Sequence, residues 1–143
     1  MLQIKIKRLS DEVKLPKYQT AGSVGFDLEA QENVEIAVGK TALISTGLSF
    51  ELPDTYEIQV RPRSGLALKH SITVLNSPGT IDSDYRGELK VILINHGTES
   101  FKISIGDRIA QAVINKVEIV SFQDVQTISN TNRDSQGFGS TGK

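Results

Sequence analysis

Apolar and polar side chains alternate in short runs along this chain. Leu2, Ile4 and Ile6 alternate with Gln3, Lys5 and Lys7, the two-residue period of a strand with one face buried. Further segments of strand character fall at 33–38, 40–50, 56–60, 71–75, 88–95, 101–105, 108–115 and 118–122, with Gly, Pro, Asn and Asp between them. No stretch of a dozen residues carries helical periodicity. At most one short helix is expected, near 64–70, where SGLALKH lacks β-branched residues. Many short strands at close spacing predict an all-β domain: a sandwich, a jelly roll or a distorted β-barrel. There is no internal repeat.

The final stretch, TISNTNRDSQGFGSTGK, breaks this pattern. It is polar and glycine-rich, and its only large apolar side chains are Ile128 and Phe138. Such a segment cannot offset its own ordering entropy by burial and is expected to be mobile when alone. Residues 1–127 therefore read as one β domain and 128–143 as a flexible C-terminal segment. Phe138 between two glycines, followed by Ser140, Thr141 and Gly142, also suits a ligand. Free N–H groups and hydroxyls match phosphate oxygens, and an aromatic ring matches a base.

A chain of 143 residues is one domain of ordinary size. Its net charge of −1 is spread along the sequence, which argues against a dedicated nucleic-acid binder. Without cysteine, disulfides and thiolate–metal sites are excluded. The two histidines, His70 and His96, stand far apart, against a histidine-rich metal site. The alternating N-terminus lacks the apolar stretch of a signal peptide, and no run is long enough to span a bilayer. A soluble, cytoplasmic protein that binds no membrane is expected.

Several segments could carry chemistry. In GTIDSDYRGE, residues 79–88, Asp82, Asp84, Arg86 and Glu88 crowd ahead of an apolar run. They read either as a solvated turn before a strand or as the seat of a working carboxylate. Arg61-Pro62-Arg63-Ser64-Gly65 follows a strand. Its glycine and a helix start would favour an anion, or Ser64 caps the helix and Arg63 pairs with a carboxylate. In Gly106-Asp107-Arg108-Ile109-Ala110-Gln111 the Asp–Arg pair reads as structural, and Gln111 as core, edge or ligand contact. AGSVGFDL, residues 21–28, matches neither a dinucleotide fingerprint nor a P-loop. Asp27 reads there as an acceptor that braces backbone or an arginine.

Taken in order, AGSVGFDL, RPRSGLA, GTIDSDYRGE, GDRIAQ and RDSQGFGSTG resemble the five motifs of the trimeric dUTPases, from about Ala21 to Gly142. GTIDSDYRG and GFGSTG are the most specific. The resemblance implies a jelly-roll-like distorted β-barrel of the β-clip type and a homotrimer with sites at subunit interfaces. It implies hydrolysis of dUTP to dUMP and pyrophosphate, keeping uracil out of DNA and supplying dUMP for dTMP synthesis. The alternatives are a dCTP deaminase of the same fold, which would use a glutamate at the pyrimidine ring, and a non-catalytic nucleotide-binding regulator. The intact GTIDSDYRG and GFGSTG favour the dUTPase.

By resemblance, Asp82 is the catalytic carboxylate that orients and deprotonates water, and it also meets the 3′-hydroxyl. The Tyr85 ring lies against the deoxyribose and leaves no room for a 2′-hydroxyl. Uracil is received by a tight hairpin between Asn76 and Lys90, with Gly79, Thr80 and Ile81 lining the site largely through main chain. Arg63, Ser64, Gly65 and Gln111 match phosphate-contacting positions. Arg133 meets the γ-phosphate, Phe138 stacks over uracil, and Gly139, Ser140 and Thr141 wrap the phosphates, so that 128–143 acts as a lid. Mg²⁺ is implied as a cofactor held by phosphate oxygens and water, with no direct protein ligand. The family pattern RGxGGFGSTG is altered here: Asp134 and Gln136 stand where the family has glycine.

Overall fold

A computed structural model describes residues 1–142; Lys143, the last residue of the expected lid, lies outside them. Three antiparallel sheets organise the chain. The first orders its strands β1-β4-β8-β6, from Lys5–Arg8, Thr41–Glu51, Leu89–Asn95 and Ile72–Val74. The second orders them β2-β10-β5-β7, from Phe26–Glu29, Arg108–Lys116, Tyr56–Arg61 and Gly79–Ile81. The third pairs β3, Val34–Ile36, with β9, Phe101–Ile103. The helix α1 spans Ser64–His70, as expected. The all-β, jelly-roll-like architecture read from the sequence is the one the chain adopts.

Alternation builds the core. In β8 the buried residues are Leu89, Val91, Leu93 and Asn95, every second position. In β5, Ile58 and Val60 point inward while Glu57, Gln59 and Arg61 share the opposite face. Leu28, Ile44, Ile58, Ile72, Leu93 and Ile109, drawn from both four-stranded sheets, are fully buried in one cluster. Burial of such side chains is the main term holding the sheets together.

The register between β4 and β8 shifts between Ser45 and Leu48, so that Thr46 and Gly47 are extra residues on β4. Gly47 takes φ 69°, a left-handed conformation that glycine adopts without a Cβ penalty. Its N–H, lost to the ladder, donates to Glu88 Oε1 at 2.9 Å. The Thr46 hydroxyl donates to the Leu89 carbonyl at 2.6 Å. At the outer edge, Lys5 Nζ meets Glu51 Oε1 at 2.7 Å, and that hydrogen bond holds the Glu51 carboxyl below its ordinary range.

Three segments differ from the sequence reading. β2 begins within the glycine-rich AGSVGFDL stretch and runs one residue past it, and its signal is the alternation of Phe26 and Leu28 with Asp27 and Glu29. β7 is only three residues long. The strand expected at 118–122 is absent. β10 runs to Lys116 opposite Tyr56, where β5 begins, and Val117 N–H closes the ladder on the Thr55 carbonyl at 2.8 Å. Beyond that point β5 no longer runs alongside, and Ile119, Val120 and Phe122 stand exposed.

Asn95 is fully buried and joins three segments. Its Nδ2 donates to the Ile36 carbonyl at 2.9 Å and the Glu99 carbonyl at 2.8 Å, and its Oδ1 accepts from Gly97 N–H at 2.8 Å. Removing the amide strands three backbone groups, each at about 1–3 kcal/mol. Asn95→Ala should therefore lose about 3 kcal/mol or more in urea unfolding, while Ile58→Val in the same core should lose only about 0.5–1.5 kcal/mol.

Candidate active site

β7 hands the chain directly to Asp82. Gly79–Ile81 pairs along the edge of β5, with Ile58 opposite Ile81 and Val60 opposite Gly79. The chain then turns, Tyr85 N–H reaching the Asp82 carbonyl at 3.2 Å, and Arg86 Nη1 closes on the Ser83 carbonyl at 2.6 Å. Thr80, Ile81, Asp82, Tyr85, Glu88 and Lys90 line one open cavity of about 320 Å³, together with Leu43 and Ile92. The Tyr85 hydroxyl donates to the Glu88 carbonyl at 3.0 Å, and Lys90 Nζ lies 3.8 Å from Glu88 Oε2. Asp82 itself is exposed.

This segment is an arch, in place of the tight hairpin expected between Asn76 and Lys90. β7 takes the free edge of β5, whereas β8 lies between β4 and β6 with both of its edges used. The two arms thus belong to different sheets. Asn76 is outside the cavity lining, against Gly79, where a Cβ would come within 3.3 Å of Asn76 Nδ2 and 3.2 Å of Val60.

A second cavity, about 340 Å³, gathers Arg63, Ser64, Gly65 and Gln111 with Gln19, Ser23, Val24, Gly25, Asp27 and Arg108. Asp27 is its hub. One carboxylate oxygen takes Arg63 Nε at 3.1 Å, and the other takes Gln19 Nε2 at 3.1 Å and Arg108 Nη1 at 3.4 Å. Arg63 Nη1 also donates to the Arg108 carbonyl at 3.3 Å. A guanidinium carries five N–H donors, so an arginine held this way keeps donors for an anion. Gln111 Nε2 donates to the Pro62 carbonyl at 3.0 Å, and a Cβ on Gly25 would stand 2.6 Å from Gln111 Oε1. Gly25 therefore makes room for the amide. Arg63, in extended conformation, is the helix N-cap and provides no side-chain cap; Ser64 is the first helical residue, leaving its hydroxyl uncommitted to capping.

The site residues fall into three groups. Asp82, Tyr85, Thr80, Ile81 and Lys90 share the first cavity, and Arg63, Ser64, Gly65 and Gln111 the second. Arg133, Phe138, Gly139, Ser140 and Thr141 lie in the exposed tail, joined only by local turns. Arg133 Nε donates to the Gln136 carbonyl at 2.9 Å, and the Phe138 ring is fully exposed. Asp134 takes φ 45°, a left-handed conformation in which Asp is among the better tolerated non-glycine residues. The sequence reading left Arg108, Gln19 and Glu88 without a place in either cavity. The signal for Arg108 was its position beside Asp107 at the entry to β10.

The dUTPase family model matches residues 11–142. The deoxyuridine 5'-triphosphate nucleotidohydrolases of Nautilia profundicola and Wolinella succinogenes are 56% and 55% identical over 142 residues, covering 99% of this chain and 100% and 95% of theirs. Among solved structures, the Staphylococcus bacteriophage 80alpha dUTPase with dUPNHPP aligns over 100% of both chains at a TM-score of 0.93 and 24% identity, which shows a shared fold. The D95N mutant dUTPase of phage phi11 of S. aureus, described for its coordination of a structural Mg(II) ion, aligns over 90% of this chain and 100% of its own, at a TM-score of 0.83 and 20% identity. Matched along nearly its whole length by the family model and more than half identical to those relatives, the chain belongs to the dUTPase family.

Proposed function

We propose that this chain hydrolyses dUTP to dUMP and pyrophosphate, with Asp82 as the base that orients water for attack at the α-phosphorus. The observation that carries this is the cavity in which Asp82, Tyr85, Thr80, Ile81 and Lys90 meet at the end of β7. The water oxygen bonds to the α-phosphorus, Asp82 takes its proton, and the bond to the α,β-bridging oxygen breaks to release pyrophosphate. A placed carboxylate raises the reactivity of a poor nucleophile. Backbone groups of 79–81 and Lys90, with Asn76 nearby, receive uracil. Cytosine reverses the hydrogen-bond polarity at N3 and position 4 and would leave such groups unpaired. The Tyr85 ring occupies the space a 2′-hydroxyl would need.

Arg63, Ser64, Gly65 and Gln111 would hold the phosphates, Arg63 already oriented by Asp27. Fixed donors stabilise the charge that builds on the leaving pyrophosphate. Among the described residues no group of three or more His, Asp or Glu is placed to hold a metal ion. A Mg²⁺ arriving with the triphosphate, held by phosphate oxygens and water, fits this donor set and would neutralise part of its charge.

One copy of the chain does not complete this site. Asp82 follows the residue opposite Ile58, and Arg63 lies two residues past the end of β5. Six residue-to-residue steps of extended chain, from 57 to 63, separate the two by about 20 Å at the strand rise per residue. That is far beyond the span from an α- to a γ-phosphate, so the carboxylate of one copy and the arginine of another would serve one nucleotide. A homotrimer with sites at its interfaces meets this need. The tail, with its own Arg133, Phe138, Gly139, Ser140 and Thr141, would close over a site built by neighbouring copies and exclude water.

Pyrophosphate release should be rapid for dUTP and weak for dCTP, dTTP and UTP, with no ammonia from dCTP. Asp82→Asn should lower turnover by about 10²–10⁴-fold while nucleotide binding persists; near-normal turnover in a folded Asp82→Asn protein would sink the assignment. Replacing Tyr85 by Ala should lower the ratio of kcat/KM for dUTP over UTP, and an unchanged ratio would count against the steric account. Truncation before Arg133 should leave the core folded, because these residues bury nothing in the chain, yet abolish most activity. Phe138→Trp should keep activity and report closure by fluorescence, responding more to a non-hydrolysable dUTP analogue with Mg²⁺ than to dUMP; the chain has no tryptophan of its own.

A further inference from the structure

Tyr85 is exposed and belongs to an arch with little buried surface, yet its ring must be held still to exclude one hydroxyl. Two neighbours supply that constraint. A Cβ built on Gly87 would stand 2.5 Å from Tyr85 Cζ, 2.9 Å from Cε2 and closer still to the hydroxyl oxygen. Gly87 does not have a positive φ, so its backbone would accept alanine; the Tyr85 ring is what fills the space. The hydroxyl at the ring's far end donates to the Glu88 carbonyl at 3.0 Å. Glu88 is in turn anchored, its Oε1 accepting the Gly47 N–H at 2.9 Å from the β4 bulge and its Oε2 lying 3.8 Å from Lys90.

We propose that Gly87 and Glu88 are positioning residues for sugar selectivity: Gly87 leaves the seat in which the Tyr85 ring lies, and Glu88 ties that ring to the β4 bulge. The proposal rests on the reading of this cavity as the deoxyuridine site and adds the residues that set its selectivity. The chain of contacts runs from the rigid β4–β8 pair through a carboxylate to a carbonyl, and from there to the phenol. A methyl group on residue 87 would push out the ring, the side chain in its way, and leave the sheets untouched. The ring would then no longer fill the space beside the sugar's 2′ carbon.

The test reads geometry and selectivity separately. Wild-type protein should show NOEs between the Gly87 Hα protons and the Tyr85 ring; their absence would overturn the seat without reference to activity. Gly87→Ala should fold with wild-type circular dichroism and oligomeric state. It should lower the dUTP-over-UTP ratio of kcat/KM by about tenfold or more, the scale on which pockets read a misfit of one carbon. The fall should come chiefly from faster use of UTP. In a double-mutant cycle, Gly87→Ala should add nothing to the loss of discrimination in Tyr85→Ala, because both act through one ring; additive effects would overturn the proposal. Glu88→Gln, which keeps the acceptor for Gly47, should hold the wild-type ratio, whereas Glu88→Ala should lower it. These two variants and the NOEs decide the matter if Gly87→Ala does not fold. A wild-type enzyme without preference for dUTP over UTP would overturn the functional reading itself. A selective wild-type enzyme with an unchanged ratio in Gly87→Ala would overturn only the seat.

Discussion

β5 gives its backbone groups to β10 along one edge, from Tyr56 to Arg61, and to β7 along the other, from Ile58 to Val60. A strand paired in this way is held extended, so it acts as a ruler between whatever leaves its two ends. At one end Arg61 runs through Pro62 into Arg63 and the helix. Near the other, β7 delivers Asp82. The register of six residues on β5 thus sets apart the carboxylate and the arginine that one triphosphate would have to meet. The split into two cavities follows from that ladder, and it is what the proposed sharing of one nucleotide between copies rests on.

In the second cavity, positive charge is already ordered by the chain itself. Asp27 is mostly buried and takes donors from Arg63, Arg108 and Gln19, which arrive from three separate stretches of chain. One carboxylate fixes two guanidinium groups that would otherwise repel each other and sample many rotamers. Their remaining donors face a cavity lined by Ser64 and Gly65. Positive charge that is already ordered costs less to use when an anion binds. The tail follows the opposite strategy. Its residues bury almost nothing, and its hydrogen bonds are local turns such as Ser140 N–H to the Gly137 carbonyl at 3.2 Å. It has little burial of its own to offset its ordering entropy. Asp134 holds a left-handed turn, a conformation glycine would adopt freely and Asp tolerates.

Much of this was legible in the chain itself. Period-two alternation located most strands because one face of each is buried, and that burial is a local property of the sequence. The absence of β-branched residues in SGLALKH marked the only helix among the described residues. The five motifs pointed to the family because their residue types and order are themselves the signal. Asp27 was readable as a brace for backbone or an arginine, and the structure decides for Arg63 and Arg108.

What the tertiary structure decided was everything that depends on which edges are free. Residues 118–122 have the apolar pattern of a strand and none of its structure, because the ladder on β10 ends where β5 begins. Residues 76–90 look like a hairpin, yet their arms enter different sheets because β8 is claimed on both edges by β4 and β6. Glu88 reads in the sequence as one more solvated acid, and only the β4 bulge makes it the partner of Gly47 and, through its carbonyl, of Tyr85. Alternation and motif order are written locally and can be read from the chain alone; pairing and register are long-range, and are settled only when every backbone N–H and C=O competes for a partner.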